Sequence, residues 1–312
     1  MTALGVVSQE CTVAGALALG RGALGWVETE QRPALVSAAV VGEALVVGRL
    51  QGVETLRERS PARFDVAVER RATTGTEAQI SGAALYHALA LPRVDALFPD
   101  ASARTLLNRN LRALLRGYTA AGVPLRYFGT EVLALLGHPV ALVGYDRAAS
   151  GAVLIEVLIG LDAPCVVRSA LKREPPASLY SILRSEPPAL DLLQRVVLGT
   201  VERLGASSFE LQLPSGPGAP RLEVDAVQAS VPIPLGVVEA AGARITGDLL
   251  VSTAALAHVE ERAQAAIDAN QPLTEALLEP LRGAPLDGAR PGDLLQALVA
   301  AFSARSMAPR TP

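Results

Sequence analysis

The sequence predicts an α+β fold, in which a mixed sheet is flanked by helices and a second, smaller α+β domain follows. Short segments rich in Val, Leu and Ile alternate with Gly and Pro, which is typical of strands, and an amphipathic pattern between them predicts a helix. The Pro- and Gly-rich stretch LPSGPGAPR cannot continue a helix and marks a linker. We therefore expect a first domain over 1–213, a linker over 214–222 and a second domain over 223–312.

The first domain contains several strand candidates with this pattern. They lie at 34–41, 44–48, 64–69, 124–128, 140–146 and 152–160. A further apolar run ends the stretch RRATTGTEAQISGAALYHALALP, at 70–92, and is also typical of a strand that enters a core.

Two helices complete the first domain. Residues 100–122 place leucines on one face, with Asp100 or Ser102 as N-cap and Gly122 at the end. Arg109, Arg112 and Arg116 fall on the other face, and a solvated helix surface is favoured there over a site for an acidic partner. The segment SEPPALDLLQRVVLGTVERLG predicts the helix that closes the domain.

The second domain combines strands and helices in a similar way. Strands are predicted within LEVDAVQASVPI and ARITGDLLV, and helices at 252–269, 273–283 and 291–304. The sequence shows no internal repeat.

Composition limits the classes of partner. No apolar run reaches the roughly 18 residues of a membrane span, and the N-terminus lacks the basic start of a signal peptide. The net charge of -3 includes no long block of like charge, so nothing indicates nucleic acid. We expect a cytoplasmic protein that binds neither membrane nor nucleic acid. Cys11 and Cys165 form no metal-binding or redox pattern and are expected to be buried.

Isolated chemical motifs are weak. GRGALG at 20–25 fits the GxGxxG of dinucleotide loops, but the preceding TVAGALAL favours a helix, whereas such a loop needs a strand before Gly20. His87, His138 and His258 are too scattered for a metal site or a catalytic triad. Lys172 is the single lysine, so any chemistry that needs a lysine must use it.

The order of the segments resembles the landmark series of the lipoate-protein ligases. The series runs ALALGRGAL, PALVSAAVVGEALVVGRLQ, RRATTGTEAQISGAALYHALALP, RYFGTEVLALLGHPVALVGYD and ARITGDLLVSTAALAHVEERAQ. The resemblance implies the fold shared by biotinyl and lipoyl protein ligases, with a small accessory C-terminal domain. For an active enzyme it also implies lipoate or octanoate as the acyl substrate, together with ATP and Mg. The implied protein partner is a lipoyl domain.

Several family positions are retained. The family's RR-x-[ST]-G-G loop, which wraps the acyl-adenylate, falls on Arg70, Arg71, Thr73, Thr74 and Gly75, with Thr74 in place of the first glycine. Together with Gly137 and His138, these residues are the ligand-binding candidates that the resemblance implies. Gly48, Arg49 and Gln51 match the family's G-R-x-Q, and Tyr86 matches a tyrosine beyond the loop.

Other family positions have lost their polar groups. An arginine falls on Val36, a tryptophan on Val40, a histidine on Ile80, an acid on Gly20, and the G-R-N-D turn on Gly129, Thr130, Glu131 and Val132. The catalytic lysine of G-[KR]-K-[IV] falls on Pro139, and losing one such preorganised donor costs on the order of 3 kcal/mol of transition-state stabilisation. His138 should point to the opposite face of the strand. The hypothesis is therefore a catalytically impaired paralogue that binds a protein partner or a small apolar ligand through the remnant acyl-adenylate pocket.

The alternative is an active ATP-dependent lipoyl or octanoyl ligase. Its positive charge would come from Arg70, Arg71 or Lys172, which is a weak catalytic candidate in RSALKREPPASL. Cys165 follows the G-[KR]-K element, whereas relatives with a cysteine nucleophile carry it before that element, so we do not expect it to act as one.

Overall fold

A computed structural model describes residues 3–168, 174–213, 227–234 and 236–307. The predicted linker at 214–222 and Lys172 lie outside the described residues. The division of the chain at 213 and 223 thus stays a prediction.

Nine strands between Ala3 and Glu210 form one mixed sheet. They are β1 (Ala3–Cys11), β2 (Ala34–Val47), β3 (Ala67–Arg70), β4 (Ala78–Leu91), β5 (Arg126–Tyr127), β6 (Val132–Leu135), β7 (His138–Arg147), β8 (Val153–Gly160) and β9 (Ser207–Glu210). Their order is β5-β6-β7-β8-β4-β2-β1-β9, and β3 pairs with β2 beside this path. β1 runs parallel to β2 and β9, and β3 runs parallel to β2, whereas the other pairs are antiparallel. The predicted α+β class with a mixed sheet is confirmed.

Helices cover both faces of this sheet. They are α1 (Val13–Glu30), α2 (Val53–Arg59), α3 (Leu106–Ala120), α4 (Leu179–Leu183) and α5 (Ala189–Leu204). α1 packs on one face, over an apolar cluster that includes Val36, Val40 and Leu158. α3 and α5 pack on the other face, over a cluster that includes Leu85 and Ile155. The two faces thus carry separate cores.

The C-terminal part has its own core. β10 (Ala229–Ile233), β11 (Gly236–Ala241) and β12 (Arg244–Gly247) form an antiparallel sheet, and β13 (Leu250–Val251) pairs with β14 (Leu286–Asp287). α6 (Thr253–Asp268) and α7 (Pro291–Met307) pack with it, and their buried residues include Val259 and Leu298. This agrees with the predicted α+β character of the C-terminal part.

Several predicted elements are corrected. The strands predicted at 34–41 and 44–48 are one strand, because β2 continues through Gly42 (φ 144°), which lies opposite Gly82 of β4. The helix predicted at 273–283 is a 3₁₀ helix over Glu275–Leu281, because Pro280 within it cannot donate a backbone hydrogen bond. The strands over Ala3–Cys11, Val132–Leu135, Ser207–Glu210, Gly236–Ala241 and Leu286–Asp287 were not predicted.

The N-terminal helix decides one alternative. Residues Val13–Glu30 form a continuous α-helix that begins at the Thr12 cap, so residues 20–25 lie inside a helix and no strand leads directly into Gly20. A dinucleotide loop at GRGALG is therefore excluded. Of the two cysteines, Cys165 is buried as expected, but Cys11 is only partly buried, because it ends β1 near the surface.

Candidate functional site

The segment between β3 and β4 is buried along its whole length. Arg71, Thr73 and Thr74 have no exposed surface, and Thr76 and Glu77 are almost as inaccessible. Gly75 has a φ of 108°, a left-handed conformation that favours glycine. We call residues 70–77 the buried loop. It brings together five of the ligand-binding candidates that the resemblance implies, which are Arg70, Arg71, Thr73, Thr74 and Gly75.

The C-terminal part closes the buried loop. Gly75 donates its backbone N–H to the carbonyl oxygen of Leu249 (2.6 Å), and Thr74 donates its N–H to the carbonyl oxygen of Tyr145 (3.1 Å). The Thr74 hydroxyl accepts from the Val251 N–H (3.0 Å) and lies 2.8 Å from the carbonyl oxygens of both Tyr145 and Val251. The side chain of Thr74, where the resemblance implies a glycine, thus joins the loop to β13.

Arg71 is a fully buried cation beside the loop. Its Nη2 donates to the carbonyl oxygens of Thr74 and Thr76, each at 2.9 Å. Nε and Nη1 have no hydrogen-bond acceptor among the described residues. A Cβ at Gly144 of β7 would collide with the guanidinium, so the glycine makes room for it. Burial lowers the pKa of Arg71, and the carboxylate of Glu156 opposes this shift.

A buried carboxylate anchors the start of the loop. Glu156 Oε2 accepts from the Thr73 hydroxyl (2.6 Å) and the Thr73 N–H (3.0 Å), and Oε1 accepts from the Tyr86 hydroxyl (2.6 Å). Burial and the charge of Glu156 raise the pKa of Tyr86. A Cβ at Gly20 of α1 would collide with the Tyr86 hydroxyl. An acidic side chain, which the resemblance implies at this position, therefore has no space here.

Apolar residues of the core beneath α1 occupy three positions where the resemblance implies polar or aromatic groups. Val36, Val40 and Ile80 are inaccessible to solvent and belong to one cluster with Tyr86. Pro139 is also buried, but it lies opposite Ala134 of β6, near the turn between β6 and β7.

Gly48, Arg49 and Gln51, which match the G-R-x-Q that the resemblance implies, bind the side chain of Arg70. Arg70 Nη1 donates to the carbonyl oxygens of Gly48 (2.7 Å), Arg49 (3.2 Å) and Gln51 (2.9 Å). Gln51 Oε1 accepts from the Gly48 N–H (2.7 Å). Burial lowers the pKa of Arg70. These three hydrogen bonds of the Arg70 guanidinium all go to backbone carbonyl oxygens.

A network of ion pairs and hydrogen bonds connects these residues to the C-terminal part. Asp248 accepts from Gln51 (2.6 Å) and from Arg59 (2.8 Å), and Arg168 bridges Asp248 (3.3 Å) and Glu77 (2.7 Å). Burial alone would raise the pKa of Asp248, but the hydrogen bond from Arg59 and the charges of Arg168 and Arg59 hold it below the ordinary value.

Asp146 makes a second connection to the C-terminal part, at the start of α6. Asp146 accepts from Arg49 (2.7 Å) and from both the N–H and the hydroxyl of Thr253 (2.8 and 2.9 Å). Sequence reasoning missed Asp146, Glu156 and Asp248. The partners of these carboxylates lie far away along the chain, and no local pattern reveals such pairs.

Gly137 and His138 are not part of the buried loop. Leu136 and Gly137 form the two-residue turn between β6 and β7, and His138 Nδ1 lies 3.0 Å from the carbonyl oxygen of Pro175. The loop contacts β7 at Gly144, which strand spacing puts roughly 20 Å from His138. The seven ligand-binding candidates therefore fall into two separate groups.

The remaining histidines and Cys165 serve the structure. His87 is buried between the hydroxyls of Ser37 (2.8 Å) and Tyr118 (2.7 Å), and burial lowers its pKa to about 3. His258 lies on the exposed face of α6 beside Glu261. Burial raises the pKa of Cys165 to about 12, which is unsuitable for a nucleophile.

The described part of the chain shows neither a metal-binding cluster nor a membrane-spanning helix. No group of three or more His, Cys, Asp or Glu side chains there could hold a metal ion. No helix there has the length and apolar character to cross a membrane.

Solved structures of other proteins show a similar architecture. A crystal structure of lipoate-protein ligase A bound with ATP superposes with a TM-score of 0.51 over 69% of this chain and 90% of that chain, at 12% sequence identity. The chain has the fold of the lipoate-protein ligases. Sequence comparison finds no matching family model and no matching curated protein.

Two other solved structures show a weaker likeness. A bi-partite lipoate protein ligase from Thermoplasma acidophilum gives a TM-score of 0.49 at 12% identity, over 68% of this chain and 89% of that one. A biotin protein ligase from Aquifex aeolicus in complex with biotin and ATP gives 0.35 at 10% identity, over 66% and 71%. At these identities the likeness concerns the fold, and the chemistry rests on the residues of this chain.

Proposed function

We propose that this lipoate-protein ligase-like protein is catalytically impaired and acts by binding a protein partner. The observation that carries the proposal is the closed state of the buried loop. The N–H groups of Thr74 and Gly75 are bonded to carbonyl oxygens of Tyr145 and Leu249 within the same chain.

A nucleotide phosphate does not fit the loop in this state. Phosphate-binding loops offer free backbone N–H groups to the anion, whereas here the carbonyl oxygen of Leu249 takes that place at 2.6 Å from the Gly75 nitrogen. A carbonyl oxygen carries partial negative charge and would repel a phosphate. We therefore derive no reaction step through ATP.

The missing lysine supports the same conclusion. Pro139 brings neither charge nor an N–H to the position where the family carries its catalytic lysine. Removing one preorganised donor of this kind typically costs on the order of 10² to 10³ in rate. Closed amides and a lost cation act together against ligase chemistry.

The same geometry favours a protein partner over a small apolar ligand. Val36, Val40 and Ile80 pack in the core with no exposed surface, so the remnant pocket offers a ligand no opening at these positions. A partner protein can bind the outer surface without opening this core. Binding through the remnant pocket itself stays a prediction.

Acyl transfer is tested directly by mass spectrometry. The purified full chain is incubated with lipoate or octanoate, MgATP and a lipoyl-domain acceptor, and the intact mass of the acceptor is measured. We expect no change, while an active lipoate-protein ligase in a parallel reaction adds one acyl group. An ATP-dependent acyl-sized increase with this chain alone would overturn the proposal.

The second candidate function is an active ATP-dependent lipoyl or octanoyl ligase, and Arg71 is the observation in its favour. Its Nε and Nη1 are donors without an acceptor among the described residues, so they could bind an anion if the loop opened. If the mass increase is seen, Arg71→Met should abolish it, whereas Lys172→Ala should abolish it only if Lys172 supplies the cation.

A further inference from the structure

The turn between β6 and β7 carries an unusual leucine. Leu136 has a φ of 51° and Gly137 a φ of 95°, so both residues of this turn are left-handed. Such turns favour Asn, Asp and Gly, and a leucine there is strained. Leu136 is also 79% exposed. Neither backbone conformation nor solvation favours leucine at this position of the isolated chain.

Leu136 borders a groove at the outer edge of the sheet. The groove has a volume of about 420 Å³ and is lined by Pro124, Arg126, Phe128, Ala134, Leu136 and Glu174, together with Gly137. We call it the edge groove. Phe128 is 41% exposed, so two large apolar side chains lie open along it. Two exposed apolar side chains that line one groove are a candidate contact surface for a partner.

The strand beside the groove leaves its outer side open. β5 ends the strand order and pairs only with β6 within the described residues. An edge strand presents unpaired backbone N–H and C=O groups to another chain. The edge groove thus lies beside a strand that has a single partner strand among the described residues.

The charges of the groove indicate which partner it fits. Arg126 and Glu174 carry opposite charges on the same surface, and neither forms an ion pair with another residue that the structure describes. In a two-fold symmetric contact, one patch meets itself, so Arg126 of each copy can face Glu174 of the other. A partner of uniform charge would leave one of the two residues opposite a like charge.

We propose that the edge groove is an interface with a second copy of this chain. Leu136 and Phe128 are its apolar anchors, and reciprocal pairs of Arg126 and Glu174 set its orientation. The interface does not depend on the proposed function, because none of its residues belongs to the buried loop.

Leu136→Asn tests the anchor without endangering the fold. Asparagine suits the left-handed turn, so we expect the variant to be at least as stable in urea as the natural chain. The dissociation constant of the dimer, from analytical ultracentrifugation over a dilution series, should rise on the order of 100-fold, because two leucines leave the interface together. Leu198→Asn is the control, since Leu198 is 60% exposed on α5 and should leave the constant unchanged.

Charge reversal tests the second copy as the occupant. Arg126→Glu and Glu174→Arg should each weaken the dimer by about tenfold or more, and the double variant should restore it. An equimolar mixture of the two single variants should form a heterodimer, because each repulsive contact then becomes an attractive one. A natural chain that stays monomeric throughout the series, a dimer that survives Leu136→Asn, or single variants that do not pair would each overturn the proposal.

Discussion

Replacement of Thr74 by valine removes the hydroxyl that joins the buried loop to β13 and keeps the side-chain volume. The Val251 N–H then loses its acceptor, and a carbonyl oxygen of Tyr145 or Val251 loses its donor. A buried N–H without a partner costs about 1 to 3 kcal/mol, and the lost donated bond adds about 1 kcal/mol. We therefore expect Thr74→Val to lower the free energy of unfolding by about 3 kcal/mol.

Urea denaturation followed by circular dichroism measures this loss, and Thr76 supplies a matched control two residues away. The Thr76 hydroxyl is buried but has no hydrogen-bond partner among the described residues. Thr76→Val should therefore be neutral or slightly stabilising, because it removes a buried polar group that gains nothing. If Thr74→Val costs no more than Thr76→Val, the hydroxyl does not hold the loop closed and the reasoning is wrong.

Two further predictions concern the core beneath α1 and the core beneath α3 and α5. Gly20→Ala should lower the midpoint temperature of thermal unfolding, because the new Cβ meets the Tyr86 hydroxyl. In Gly25→Ala, in the same helix, the new Cβ meets nothing within 4 Å, so this control should raise the midpoint. Equal shifts in the two variants would disprove the close contact at Gly20. His87 has a pKa near 3 in the fold against about 6.5 when unfolded, so protonation favours the unfolded chain, and stability is lost as the pH falls below about 6.5. The loss contributed by His87 between pH 7 and pH 5 should be about 2 kcal/mol in urea titrations, and His87→Gln should remove it.

The sheet was predictable where the strands are buried on both faces. β7 and β8 are continuous runs of apolar residues, and their signal is contained in the local sequence. β1 was missed because its end, Ser8 to Glu10, is exposed and polar, and its strand conformation depends on pairing with β2 and β9. Pairing with distant segments is not written in a local pattern.

The candidate site shows the same division. The resemblance located the buried loop, and the structure brings Arg70 to Gly75 together, but their roles could not be read from the motif. Gln51 contacts Asp248 across 197 positions of the sequence, and Thr74 contacts Val251 across 177. Only the folded chain shows that Gln51 and Thr74 connect the region of the loop to the C-terminal part. The separation of Gly137 and His138 from the loop was equally invisible, because the sequence does not give the position along β7 at which the loop makes contact.

The closure of the buried loop by Leu249 and Val251 also sets an order of events on the ribosome. Chains grow at about 5 to 20 residues per second, so Leu249 is synthesised on the order of 10 seconds or more after Gly75. Until then Gly75 and Thr74 cannot form their hydrogen bonds to Leu249 and Val251. Closure of the buried loop by the C-terminal segment is therefore a late step in the synthesis of each molecule.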